Sequence, residues 1–99
     1  MDERYRKLSP AEEAERRKKA VEEILAHPEW TVPEAIKYMK RCLHLKAKDV
    51  AALSGVGHRT VANIESGATE GTVVTVNSIL SILGLKLGVV KDVPPDSSR

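Results

Sequence analysis

The chain has 99 residues with 16 Lys and Arg against 14 Asp and Glu, a formal charge of +2, and its only aromatic residues are Trp30, Tyr5 and Tyr38. That length builds one modest core and not two, and with no Phe the core must be made from Leu, Ile, Val and Ala. A single cysteine, Cys42, excludes an intramolecular disulfide and predicts a reducing compartment. No apolar run reaches the length of a membrane span, and the charged "MDERYRKLSP" has no apolar stretch of the secretory type, so a soluble, cytoplasmic protein is expected. Charge is unevenly placed: residues 1–31 hold 7 basic and 8 acidic side chains, residues 32–90 hold 7 and 4. The downstream surplus is a mild signal of an anionic partner.

Ser9, Pro10 and Glu12 form a helix start, with a cap, a proline in the first turn and an acid three residues on. The first helix, 9–26, shows an apolar stripe of Ala14, Val21, Ile24 and Leu25 among charges of alternating sign, and His27-Pro28 ends it. Such a helix reads as an arm packed by one edge, not as a basic nucleic-acid arm. Thr31, Pro33 and Glu34 open a second helix, which places Ile36, Met39 and Leu43 on one face and Lys37, Lys40 and Arg41 on the other. A third short helix over 48–54 turns Val50, Ala51 and Leu53 inward and ends at Gly55. A fourth, 58–66, is closed by Gly67. Thr72 caps a fifth, with Val73, Val76, Ile79, Leu80 and Leu83, which Gly84 stops.

Beyond Gly84 the period changes: Leu85, Leu87 and Val89 alternate with Lys86 and Gly88, a strand pattern. The tail "KDVPPDSSR", 91–99, is polar and proline-containing and is expected to be disordered. The chain divides into an N-terminal helical extension, 1–30, a domain over 31–90, and that tail.

The stretch "KAKDVAALSGVGHRTVANIESG" has the residue types of two helices joined by a tight turn. Ala51 is small where the second helix crosses, Gly55 allows positive φ, Val56 plugs the turn, and Val61 and Ile64 bury the inner face. His58, Arg59, Ala62 and Asn63 then point outward. Together with "TVVTVNSILSILGLKLGVV", this segment resembles the helix-turn-helix domain of the lambda-repressor-like (Cro/C1-type, XRE) family, over about Pro33 to Val90. Ala51, Gly55, Val56, Val61, Ile64, Glu65 and Gly67 fall where the family pattern places them. The resemblance implies an all-α helix-turn-helix bundle with an extra N-terminal helix and a short C-terminal strand. It also implies sequence-specific binding of palindromic operator DNA by a homodimeric repressor. The strand is similar to that of HipB-like antitoxin members, in which the segment pairs between subunits. An antitoxin with a toxin partner is therefore an alternative, and a helix-turn-helix scaffold for protein–protein interaction is another.

Of the outward residues, Arg59 suits a bidentate contact to guanine and Asn63 a contact to adenine. His58 and Thr60 sit beside them at the start of the helix, after Gly57. Lys46, Ala47 and Lys48 begin the first motif helix; many relatives have Gln where Ala47 stands, and the two lysines offer phosphates point charges. Ser66 and Thr69 lie in the loop expected to touch phosphate. Glu65 reads as a structural hydrogen-bond acceptor. Leu85, Leu87 and Val89, extended by Val74 and Ile82, form the expected dimer interface. No metal site is expected, since Cys42 and His44 have only His27 and His58 as other strong ligands. Gly55-Val56-Gly57 is too short for a phosphate loop, and Ser54, Ser66, His44 and Asp49 show no nucleophile–base spacing, so neither cofactor nor catalysis is expected.

Overall fold

The computed structural model describes residues 7–91, so the first six residues and the tail from residue 92 lie outside the description. The fold is all-α: α1 (Pro10–Ala26), α2 (Val32–Leu43), α3 (Ala47–Ser54), α4 (His58–Ser66) and α5 (Val73–Leu80), the last continued by a 3₁₀ turn, Ser81–Leu83. The helix starts follow from local chemistry. The Ser9 hydroxyl accepts the Glu12 N–H at 3.2 Å while the Glu12 carboxylate accepts the Ser9 N–H at 3.0 Å. Thr31 and Glu34 make the same reciprocal pair at the head of α2. At α3 only the return half exists, Lys46 N–H to the Asp49 carboxylate at 2.8 Å, because lysine has no acceptor to offer. Thr72 caps α5 by accepting the Thr75 N–H at 3.1 Å.

Two helix ends show different solutions to one problem. Gly55 stops α3 with φ +78°, as expected of a glycine. α2 ends instead on His44, the one described non-glycine residue with positive φ, at +56°. There the His44 and Leu45 N–H groups both return to the Lys40 carbonyl, which holds the turn despite the side chain.

One core unites the described helices. Ile36, Met39, Val50, Val61, Ile64 and Ile79 are its largest fully buried members. α1 lies against α2, α2 against α4, and α3 against both α4 and α5. Ala20 of α1 is also fully buried, and Val21 and Ile24 pack beside it. The seam of α1 therefore runs through Arg16, Ala20 and Ile24, at i,i+4 spacing. Of the stripe expected at Ala14, Val21, Ile24 and Leu25, Val21 and Ile24 lie at the core, and the seam is turned away from the other two. Ala14 is exposed and Leu25 is 65% exposed. Ala20 wins because its methyl group lets α1 approach α2 closely, and the Arg16 guanidinium beside it donates to the Cys42 carbonyl at the end of α2.

Two further expectations are corrected, and a third, the strand, is not seen in the single chain. Leu53 is 61% exposed and Val73 is 63% exposed, because α3 packs on α4 and α5, and α5 on α2 and α3, through other sides of each helix. Lys40 does not lie on an open face: its ammonium reaches the Glu65 carboxylate at 2.5 Å, with both side chains about one-fifth exposed. The expected strand is not formed in the single chain, and no strand occurs among the described residues. A strand needs a neighbour, and here the Leu85 N–H turns back to the Leu80 carbonyl (3.1 Å) while the Leu87 N–H donates to the Asn77 side-chain oxygen (2.7 Å).

Candidate nucleic-acid interface

The α3–α4 corner is built around three consecutive residues. Gly55 takes the left-handed conformation, its N–H bonded to the Ala51 carbonyl at 2.9 Å. Val56 then packs against the core while its N–H donates to the Ser54 hydroxyl at 3.2 Å, so the turn's backbone is satisfied locally. Gly57 begins α4 with φ −60°, an ordinary value, so glycine is not needed there for conformation. An added Cβ would meet only the Thr60 hydroxyl, at 3.7 Å. What glycine leaves is a bare helix start: no side chain caps α4.

α4 is anchored from inside by Val61 and Ile64, which are buried to within 1%. His58, Arg59 and Thr60 are exposed in its first turn, and Ala62 is exposed beyond them. Asn63 is half-buried, and so less open than the outward face predicted for it. Across the turn Lys46 and Lys48 are exposed at the head of α3, while Ala47 between them is half-buried against the core. The structure thus brings Lys46, Lys48, His58, Arg59 and Thr60 to the exposed parts of two consecutive helices.

The loop residues serve chiefly the turn. The Ser66 hydroxyl donates to the Asn63 carbonyl at 3.1 Å and accepts the Ala68 N–H at 3.3 Å. The Thr69 N–H closes onto the same Asn63 carbonyl at 3.3 Å, leaving its exposed side chain at the loop surface.

Two of the acids near this surface are engaged. Asp49 is bonded to the Lys46 N–H, and Glu65 is held by Lys40 from α2. Glu65 is thus the structural acceptor its position predicted. Its partner lies 25 residues away, and no local spacing rule points to it. Glu70, in the loop after α4, is exposed beside this surface.

Of the expected dimer residues, Val74 is 75% exposed, Leu87 37% and Val89 fully so, while Ile82 and Leu85 are half-buried against the core. Asn77, which the alternation of apolar residues does not reveal, is the residue that engages this segment. No group of three or more metal-ligating side chains occurs among the described residues, and no described helix is long and apolar enough to cross a membrane. Comparison with family models, with curated proteins and with solved structures gives no match.

Proposed function

We propose that the chain is a helix-turn-helix DNA-binding regulator that represses transcription, with α3 and α4 as the motif and α4 as the groove-reading helix. One observation carries this reading: α4 is fixed by fully buried Val61 and Ile64 while His58, Arg59 and Thr60 stand exposed on its first turn. A helix held rigidly from one side with polar, hydrogen-bonding residues on the other is what major-groove readout requires. Arg59 is assigned to a guanine edge, and Asn63 and His58 to neighbouring base or sugar positions. Lys46, Lys48 and the uncapped N-terminus of α4 are assigned to phosphates, which favour cations and free N–H groups alike.

A single motif of this size reads only a few base pairs, so the reading includes a homodimer on a two-fold site, with half-sites ~34–36 Å apart. In the dimer, residues 85–89 pair with the same segment of a second chain, and Val74 and Ile82 extend the contact. Selection of bound duplexes from a random pool tests the whole reading. An enriched palindrome supports it, and a pool that stays random after successive rounds refutes it.

A further inference from the structure

Where the head of α2 faces the end of α4, the packing leaves a hollow of about 410 Å³. Val32 and Pro33 of α2 form its apolar wall, and Ile64, only 1% exposed, closes its floor. Gly67, Thr69 and Glu70 of the following loop make the opposite rim. That loop is held at both ends: the Thr69 N–H bonds to the Asn63 carbonyl at 3.3 Å, and Gly71, with φ +74°, lies close against Ile64. No residue of the proposed dimer contact lines the hollow, and none assigned to a base edge does so either.

The polar groups at the hollow are of two kinds. On the α2 side they are spent: the Thr31 N–H and hydroxyl both donate to the Glu34 carboxylate, at 2.8 and 3.1 Å, so the positive end of that helix already has its anion. On the loop side they are open. Neither the Thr69 hydroxyl nor the Glu70 carboxylate has a partner among the described residues. The last turn of α4, which ends on Gly67 at this rim, carries no basic side chain to offset its negative end. The remaining charges leave that balance standing. Lys40 and Glu65 cancel as a pair, and Glu34 keeps its charge with Lys37 one turn on. Arg41, His58 and Arg59 lie at the far ends of α2 and α4. Glu70 is left over, and Glu29, just before α2, has the same sign.

We propose that this hollow binds a small organic ammonium ion, with a compact apolar body against Val32, Pro33 and Ile64 and its charged nitrogen at Glu70 and Thr69. Its volume lies within the ~300–1,000 Å³ typical of small-molecule sites. The apolar body supplies most of the affinity. The carboxylate supplies selectivity, because an exposed ion pair changes binding only a fewfold. A carboxylate ligand would meet Glu70 across the rim, and a DNA phosphate is disfavoured for the same reason. A bare metal ion would leave the apolar wall unused, and no group of three metal-ligating side chains occurs among the described residues.

The test follows the backbone amide signals of the full chain by NMR during titration with phenethylamine, which has an aromatic body and one ammonium group. Val32, Gly67 and Thr69 should shift together, with a Kd on the order of 1 mM for so small a probe. Phenethyl alcohol, of the same shape without the charge, should bind about threefold more weakly, and phenylacetate more weakly still. Glu70→Gln should make the amine and the alcohol equal, and Glu70→Lys should turn the preference to phenylacetate. Glu22→Gln, at an exposed acid of α1, should keep the wild-type preference. Residue 70 is exposed in a loop, and unchanged circular dichroism verifies the fold of each variant. The proposal is overturned if the shifts map elsewhere, if the three probes bind alike, or if Glu70→Lys still prefers the amine. It also falls if butylamine binds as tightly as phenethylamine, which would assign the hollow to a lysine side chain of a partner protein. Shifts of the same signals on dilution alone would overturn it too, in favour of a second copy. Every measurement is made on the chain without DNA, so the result is independent of whether an operator is found.

Discussion

Gly71→Ala is the substitution whose cost the structure specifies best. Gly71 has φ +74°, and a Cβ built on it would lie 2.6 Å from Ile64 Cδ1 and 3.1 Å from Ile64 Cγ1. Ile64 is 1% exposed in the core, so its side chain has little room to withdraw. The left-handed backbone costs alanine about 1–2 kcal/mol. The overlap adds about 1–3 kcal/mol, and the lower entropy of the unfolded alanine chain offsets about 0.4–1 kcal/mol. The net loss is on the order of 2–4 kcal/mol, a fall in Tm of roughly 10–25 °C for a chain of this size. The chain contains its own control. Gly55 and Gly67 have similar φ, +78° and +84°, yet an added Cβ meets nothing within 4 Å at either. Alanine there should cost only about 1 kcal/mol, since strain and entropy remain without the overlap. Denaturant titration of the three variants separates contact from conformation. Equal losses at all three would refute the claim that the 67–72 loop closes on Ile64. Because Ile64 holds α4 from beneath, Gly71→Ala should also weaken any DNA affinity more than its distance from Arg59 suggests.

Four other outcomes are expected. A double-mutant cycle with Lys40→Met and Glu65→Leu should give a coupling of about 1–3 kcal/mol in denaturant unfolding, because the pair is largely shielded from water; a coupling near zero would mean the contact is idle. The Tyr38 hydroxyl is pushed up to about 12, chiefly by its hydrogen bond with Cys42 and then by burial. The protonated phenol is thus favoured in the folded chain, and the associated stability, complete below the unfolded value near 10, is lost as pH rises from about 10 to 12. Tyr38→Phe should flatten that decline in thermal melts, and Cys42→Ala should bring tyrosinate absorbance in at lower pH. Arg59→Ala should cost about 1–3 kcal/mol on a selected site and relax one base pair, whereas Lys46→Ala should weaken all sequences alike and reduce the salt slope by about one; equal losses on selected and random DNA would make Arg59 a phosphate contact. Val89→Pro removes a ladder donor while leaving the Asn77–Leu87 bond intact, so it should halve the mass in sedimentation without changing helix content; a wild type already monomeric at micromolar concentration would sink the dimer.

The helix boundaries were legible because their signals are local. Ser9 with Glu12, Thr31 with Glu34, and glycines 55, 67 and 84 each act within one turn of chain, and each does so in the structure. The phase of each apolar face was less legible, because periodicity says that a helix has an inner side and the neighbouring helix decides where it lies. Ala20 replaced Ala14 and Leu25 for that reason, and Leu53 and Val73 remained outside although each sits among buried neighbours in sequence. For the candidate site, Arg59, His58 and Thr60 could be placed from the apolar pair at 61 and 64 alone. The Lys40–Glu65 pair could not, since it joins residues brought together only by packing α2 on α4. His44 was hidden differently: a left-handed residue that is not glycine has no sequence signal beyond the ending of the helix itself.

The bond between Asn77 and Leu87 bears on how the chain survives its own synthesis. Asn77 precedes Leu87 by only ten residues, so the loop between them closes at small entropic cost and well within the microsecond range. A nascent chain can therefore occupy a backbone donor of its most strand-like segment as soon as that segment is made. An exposed apolar edge with open donors invites cross-β pairing with whatever chain is nearest, and neighbouring polysomes supply many. A single amide oxygen, set on the rigid wall of α5, satisfies one of those donors in a form that a correctly aligned partner can still displace. Asn77→Leu, which keeps the bulk and loses the acceptor, should accordingly raise insoluble product during expression more than it lowers the melting temperature of the purified protein.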